Sequence, residues 1–245
     1  LKRRFISAII ALVTTATLFS SVASAAQTRA WHGARMLATY DGFWFESTFP
    51  TLYSRQSAGT LEKINWEFWH FINGDTSGSW VEMGYHNGYS WDSSGQPISY
   101  NSYDGLFVAK ATSSSWSLSK ISSANWSYGQ NHTMGTDFWS GASGTKYVDM
   151  RSDQSVIYTF SGATPAARID AGVEFGQDPI LPSTSAKQKI TLPSNMKQLS
   201  VRSGGTWVTW ASSGKTIYPF NQNEGIWYEA PSATWSSSNN QINFN

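Results

Sequence analysis

The sequence predicts an all-β chain: an antiparallel β-sandwich of jelly-roll or concanavalin A-like layout with few helices. Three observations predict it. Many segments alternate apolar and polar residues with a period of two, which sends successive side chains to opposite faces of a strand. Turn signals rich in Gly, Asn, Asp and Ser separate these segments at short intervals. Charged residues make up only 13% of the chain, against 13 Trp and 11 Tyr, a balance unlike the Ala-, Leu-, Glu- and Lys-rich composition of helical proteins.

The chain begins with a basic trio, Lys2, Arg3 and Arg4. A mostly apolar run follows from Phe5 to Phe19, then the small-residue site Ala23-Ser24-Ala25. This order is that of a secretory signal, so residues 1–25 are expected to be removed and the mature chain to be extracellular, without stable membrane insertion. Beyond it, 14 basic residues face 16 acidic ones. That balance lacks the basic footprint of a nucleic-acid binder. There is no cysteine, which removes disulfides, thiol catalysis and cysteine-ligated zinc. Stability must come from the core, which a chain of this length can supply as one domain.

The stretch Glu62 to Tyr89 organises the chain. Ile64 to Ile72 alternates as one strand, Asn73 to Gly78 is turn chemistry, and Trp80 to His86 is a second strand. A simple closure pairs residues whose numbers sum to about 152. His70 would then face Glu82, and Trp66 would face His86. One face would carry Trp66, Phe68, His70, Trp80, Glu82 and His86; the other would carry Glu67, Trp69, Phe71, Val81, Met83 and Tyr85. The first face reads either as an aromatic-walled polar groove or as an ordinary cross-strand pair over a packed core.

Farther along, Trp91 stands among Ser, Gly and Asp, as a loop plug or a stacking platform. Asp104-Gly105 reads as a turn into Leu106–Ala111. Lys146–Arg151 and Ser155–Phe160 form a second hairpin. Ala167 to Gly176 alternates almost perfectly and places Arg168, Asp170, Gly172, Glu174 and Gly176 on one face; its glycines leave room above the sheet. Residues 26–185 are expected to form the sandwich. Pro179–Ser185 resembles a linker, and the short strands in 186–245 either continue the sandwich or make a small second module.

No phosphate-binding glycine loop, HExxH, GxSxG or EF-hand pattern occurs. The four histidines are scattered, so no metal site is expected. No cofactor is expected either, although Asp75, Asp92 and Asp104 leave room for a structural calcium. The carboxylates Glu67, Glu82 and Glu174 all fall on expected strands and could meet on one sheet, with His70 as a further catalytic candidate. Glycoside hydrolysis needs two such carboxyls about 5–10 Å apart. Glu62 to Glu67 superficially resembles the paired-glutamate strand of laminarinase-like glycosidases. Its spacing departs from that pattern, and Asn65 stands where an aspartate is expected, so no family is assigned. A glutamic peptidase needs a Gln–Glu pair, and Gln96 and Gln177 are expected in loops.

Exposed aromatics on a rigid sandwich suit sugar binding equally well. The leading expectation is therefore a non-catalytic protein that binds polysaccharide or cell-wall glycan through Trp66, Trp80, His86 and Trp91. A secreted hydrolase using a carboxylate pair, a glycoside hydrolase ahead of a glutamic-type peptidase, is the first alternative, and a structural extracellular protein the second.

Overall fold

The computed structural model describes residues 28–53, 61–91, 97–121, 127–178, 189–191, 194–223 and 232–245. The expected signal at 1–25, the stretch Pro179–Ser185, Asp92 and Gln96 lie outside them. The described chain is the antiparallel β-sandwich that the alternation predicts, with no helix among the described residues.

One sheet has seven strands. In spatial order they are β15 (Ile217–Asn223), β1 (Thr28–Met36), β11 (Pro165–Asp178), β4 (Leu61–Ile72), β5 (Trp80–Trp91), β6 (Pro97–Thr112) and β7 (Ser115–Ile121). The other runs β10 (Ser155–Ser161), β9 (Lys146–Ser152), β8 (Asn131–Ser140), β2 (Gly42–Thr48), β13 (Ser194–Ser203), β17 (Gln241–Phe244) and β16 (Ala233–Ser236), with β14 (Thr206–Thr209) paired to β13. A small ladder joins β3 (Thr51–Tyr53) to β12 (Lys189–Thr191). Strands beyond residue 186 thus enter both large sheets. Two expected loops are strand instead: Asp104-Gly105 lies inside β6, and Gln177 near the end of β11.

The two inner faces meet in an aromatic core. Phe68 of β4 packs edge-on against Phe43 of β2 with ring centroids 5.1 Å apart, and Trp66 lies 4.8 Å from Phe244 of β17. Both Trp66 and Phe68 are fully buried. Each such ring contributes a few kcal/mol through the area it removes from water. Trp66 is therefore a core residue and not a ligand platform, which corrects the expectation for it.

The organising hairpin forms, but its register differs by one residue. Phe71 pairs with Trp80, Trp69 with Glu82, and His70 with Val81. The cause lies in the turn. Asn73 and Gly74 both take positive φ (59° and 72°), as a tight two-residue turn demands. Asp75 then accepts hydrogen bonds from the Ser77 and Gly78 amides at 2.8 and 2.9 Å, and this extra loop shifts the closure. One residue of slip turns one strand over relative to the other. Trp66, Phe68 and His70 accordingly share the inner face with Val81, Met83 and Tyr85. Glu67, Trp69 and Phe71 share the outer face with Trp80, Glu82 and His86.

His70 is thus a core residue and the His70–Glu82 pairing is not made. Its Nδ1 lies 2.8 Å from Thr136 Oγ1, and its ring meets Phe138 edge-on. Burial pushes its pKa down to about 3. The folded protein keeps His70 neutral where the unfolded chain takes up a proton, so stability is lost as pH falls from about 6.5 toward 3. By pH 4.5 the loss is about 3 kcal/mol. Urea unfolding of wild type and His70→Gln at pH 7 and 4.5 should show their difference move by that amount in the variant's favour. A pH-independent difference would refute this role.

Candidate active site

The outer face of the seven-stranded sheet carries a groove of about 490 Å³. Three glutamates run diagonally across three adjacent strands at its base; Glu82 and Glu174 line the groove, and Glu67 lies buried between them. Glu67 of β4 stands directly between Gly172 of β11 and Gly84 of β5. Glu174 is two residues along from Gly172, and Glu82 is two residues back from Gly84. The alternation in each strand brings all three to one face, and one oxygen from each lies within 4.8 Å of the others.

Glycine makes the crowding feasible. A Cβ on Gly84 would come 2.5 Å from the Glu67 Cβ and 2.8 Å from the Phe107 ring; one on Gly172 would come 2.1 Å from the His32 carbonyl oxygen. Gly84→Ala is expected to cost about 1–3 kcal/mol, read by thermal unfolding, because the wall of the site must move. Unchanged stability would show that Glu67 is not held in this way.

The three carboxyls sit in different fields. Glu67 is 0% exposed, and neither of its oxygens receives a donor from elsewhere. Its nearest charged neighbours are Glu82 and Glu174, one oxygen of each lying within 4.8 Å of it. Burial, and then the charges of Glu82 and Glu174, hold the Glu67 carboxyl well above the usual carboxylate range. Burial and the Glu174 charge also raise Glu82, whose Oε2 accepts the Trp80 indole N–H at 3.0 Å.

Glu174 goes the other way. Burial works to raise it, but the Lys63 ammonium at 2.9 Å and the Arg29 guanidinium at 3.8 Å outweigh burial and lower its pKa. Asn65 Nδ2 also donates to Glu174 Oε2 at 3.3 Å. Asn65 is in turn fixed by His86, whose ring lies 2.6 Å from Asn65 Oδ1 and 2.7 Å from the Tyr89 carbonyl oxygen. His86 is fully buried, so it braces the site from behind and does not present itself to a ligand.

Trp80 lines the groove, together with Trp31, Trp69, Phe71, Trp116 and Phe220. Trp91 ends β5, and its side chain lies outside the described residues. The rim carries Asp170, gripped by Arg35 at 2.8 Å and by Arg168 at 2.6 Å; Arg168 also lies 4.1 Å over the Phe71 ring. The sequence reading had not singled out Lys63, Asn65 or Arg29 as site residues. Lys63 and Asn65 were within its reach, since positions 63, 65 and 67 of one strand share a face.

One divalent cation could span the three glutamates. Ligation needs ionised carboxylates, so a bound cation would displace the protons that burial favours on Glu67 and Glu82 and would compete with Lys63 for Glu174. Of the loop aspartates that leave room for a structural calcium, Asp75 accepts the amides of its own turn and Asp104 accepts the Tyr128 hydroxyl at 2.9 Å.

No family model and no curated protein matches the chain. Solved structures of similar layout include scytalido-glutamic peptidase with a transition-state analogue inhibitor, at 13% identity and a TM-score of 0.44, covering 88% of this chain and 97% of that one. A second is SCP-B, a member of the eqolisin family of peptidases, in complex with the tripeptide Ala-Ile-His. It stands at 10% identity and a TM-score of 0.39, covering 89% of this chain and 98% of that one. A likeness this loose carries no argument about chemistry, which rests on the residues of this chain.

Proposed function

We propose that the chain is a hydrolase that cleaves extended peptides by carboxyl general acid–base catalysis. One observation carries the reading: neighbouring carboxyls on the floor of an open groove have proton affinities driven apart. Where environments separate the pKa values of adjacent acids, the roles of acid and base separate with them. Glu174, kept ionised by Lys63 and Arg29, is the base that takes a proton from the attacking water. Glu82, kept protonated, is the acid that delivers one to the leaving nitrogen. Glu67 touches both and is a positioning residue that holds a proton between them.

A glycoside would need its anomeric carbon between the two working carboxyls. Here the Glu67 carboxyl occupies that space, so the reacting bond must lie above the row, as a peptide strand across the groove does. The aromatic walls suit apolar side chains of such a strand. Action outside the cytoplasm, as the basic and apolar start of the chain suggests, is part of the same proposal.

Incubation with a peptide library from pH 3 to 7, with products read by mass spectrometry, tests the reading. Soluble glycans assayed for reducing ends run beside it. Peptide products that disappear with Glu82→Gln support it. Sugar release without peptide cleavage, or neither, would sink it.

Glu67→Gln separates positioning from scaffolding. The folded chain holds the Glu67 proton where the unfolded chain has lost it, so wild-type stability declines as pH rises from about 4.3 toward the raised value. Glutamine removes that decline, and its amide donates to Glu82 permanently. The variant should be the more stable at pH 7, by about 1.4 kcal/mol for each unit of the shift removed, with the gain absent below pH 4. The alkaline limb of its activity should move to lower pH. A variant less stable at pH 7 would contradict the assignment.

A further inference from the structure

We propose that the outer face of the eight-stranded sheet carries a second binding site, for a neutral oligosaccharide. The core separates this face from the carboxyl groove. It bears a trough of about 490 Å³. Two adjacent cross-strand rows build it. One runs Trp207, Arg202, Gly42, Asp137 and the next Ser200, Trp44, Gly135, Arg151. Each row contains a glycine: Gly135 lies on the floor of the trough, and Gly42 lies beneath the Trp207 ring. A Cβ at Gly135 would come 2.3 Å from the Phe43 carbonyl oxygen, and one at Gly42 would come 3.0 Å from the Trp207 ring.

Above this floor stand two indoles and a set of alternating donors and acceptors. Trp207 is 45% exposed, far more than a core tryptophan. The Arg202 guanidinium lies 5.7 Å from the centre of its ring, which holds the indole in place. Asp137 sits between Arg202, which bonds it, and Arg151, whose Nε is 3.6 Å away. Arg151 and Arg202 both line the trough, with their Nε atoms 3.6 Å from carboxylate oxygens of Asp137 and Asp41.

Charge decides the ligand class. Arg151 also faces Asp149 at 3.7 Å, and Arg202 faces Asp41 at 3.6 Å. Both cations are therefore matched by carboxylates, and no excess positive charge remains to select an anion. A neutral polyol fits: its hydroxyls both donate and accept, answering an Asp beside an Arg, and the apolar face of a sugar ring stacks on an indole. A protein held on a glycan by this face leaves its carboxyl groove open on the other side.

Native gels cast with hydroxyethylcellulose, xylan, laminarin, mannan or glycol chitin provide the test. The full chain should be retarded in at least one gel. Trp207→Ala should migrate as in a blank gel, and Arg151→Lys, which keeps the charge but replaces the planar guanidinium fork with a single ammonium, should weaken retention at least threefold. Glu82→Gln should be retarded like wild type, so the outcome does not depend on the hydrolase reading. Retardation in none of the five gels, or retardation unaffected by Trp207→Ala, would overturn the proposal. So would retardation lost with Glu82→Gln, which would place the glycan in the first groove.

Discussion

Glu82→Gln should lower kcat/KM for a peptide substrate by about 10²–10⁴-fold while leaving the fold intact, because a positioned acid contributes that much to a proton transfer. Glutamine keeps the shape and still accepts the Trp80 indole N–H, so the loss reports the proton and not the packing. The pH profile of the wild type follows from the two opposed shifts. The acid must be protonated, so activity falls as pH rises through the raised Glu82 value. The base must be ionised, so activity falls as pH drops through the depressed Glu174 value. The result is a broad bell whose limbs lie on either side of the ordinary carboxylate range, and which belongs to the coupled group as a whole. A fluorogenic peptide assayed from pH 2 to 8 measures both limbs. Activity of Glu82→Gln within tenfold of wild type would end its role as the acid.

Lys63→Met should destabilise the protein by about 3 kcal/mol at pH 7, since it leaves the buried Glu174 carboxylate without its nearest counter-charge. The sign of the pH dependence is fixed. Glu174 has a folded pKa below its unfolded value, so its stabilising contribution is present above about pH 4.3 and is lost as pH falls through the depressed value. The gap between variant and wild type should therefore be widest above pH 5 and close toward pH 3. Urea unfolding at pH 3, 5 and 7 resolves it. A gap that is constant with pH would mean that Lys63 acts through packing of its methylenes alone.

Much of the site was present in the alternation. Arg168, Asp170, Gly172, Glu174 and Gly176 share a face as the period of two requires, and the room for Glu67 comes from Gly84 on the neighbouring strand. Glu67, Glu82 and Glu174 were candidates for the same reason. The hairpin register was not legible. It depends on how Asp75 captures the amides of its own loop, and a shift of one residue put Trp69 in place of His70 opposite Glu82 and brought Glu67 onto the same face. The tryptophans could not be sorted by composition either. Trp66 and Trp80 have similar neighbours in sequence, yet one is core and the other lines the groove, because their strands present opposite parities to the same face.

The class of fold, the absence of thiol chemistry and the faces within each strand follow from composition and from a backbone geometry that repeats every two residues. Which faces of different strands coincide is settled by the packed sheet. That choice depends on turn conformation and on the order β1-β11-β4-β5 in the sheet, which brings carboxyls more than a hundred residues apart into contact. It also set their chemistry, because Lys63 and Arg29 act on Glu174 through distance and low dielectric, and neither quantity exists until the sheet has formed.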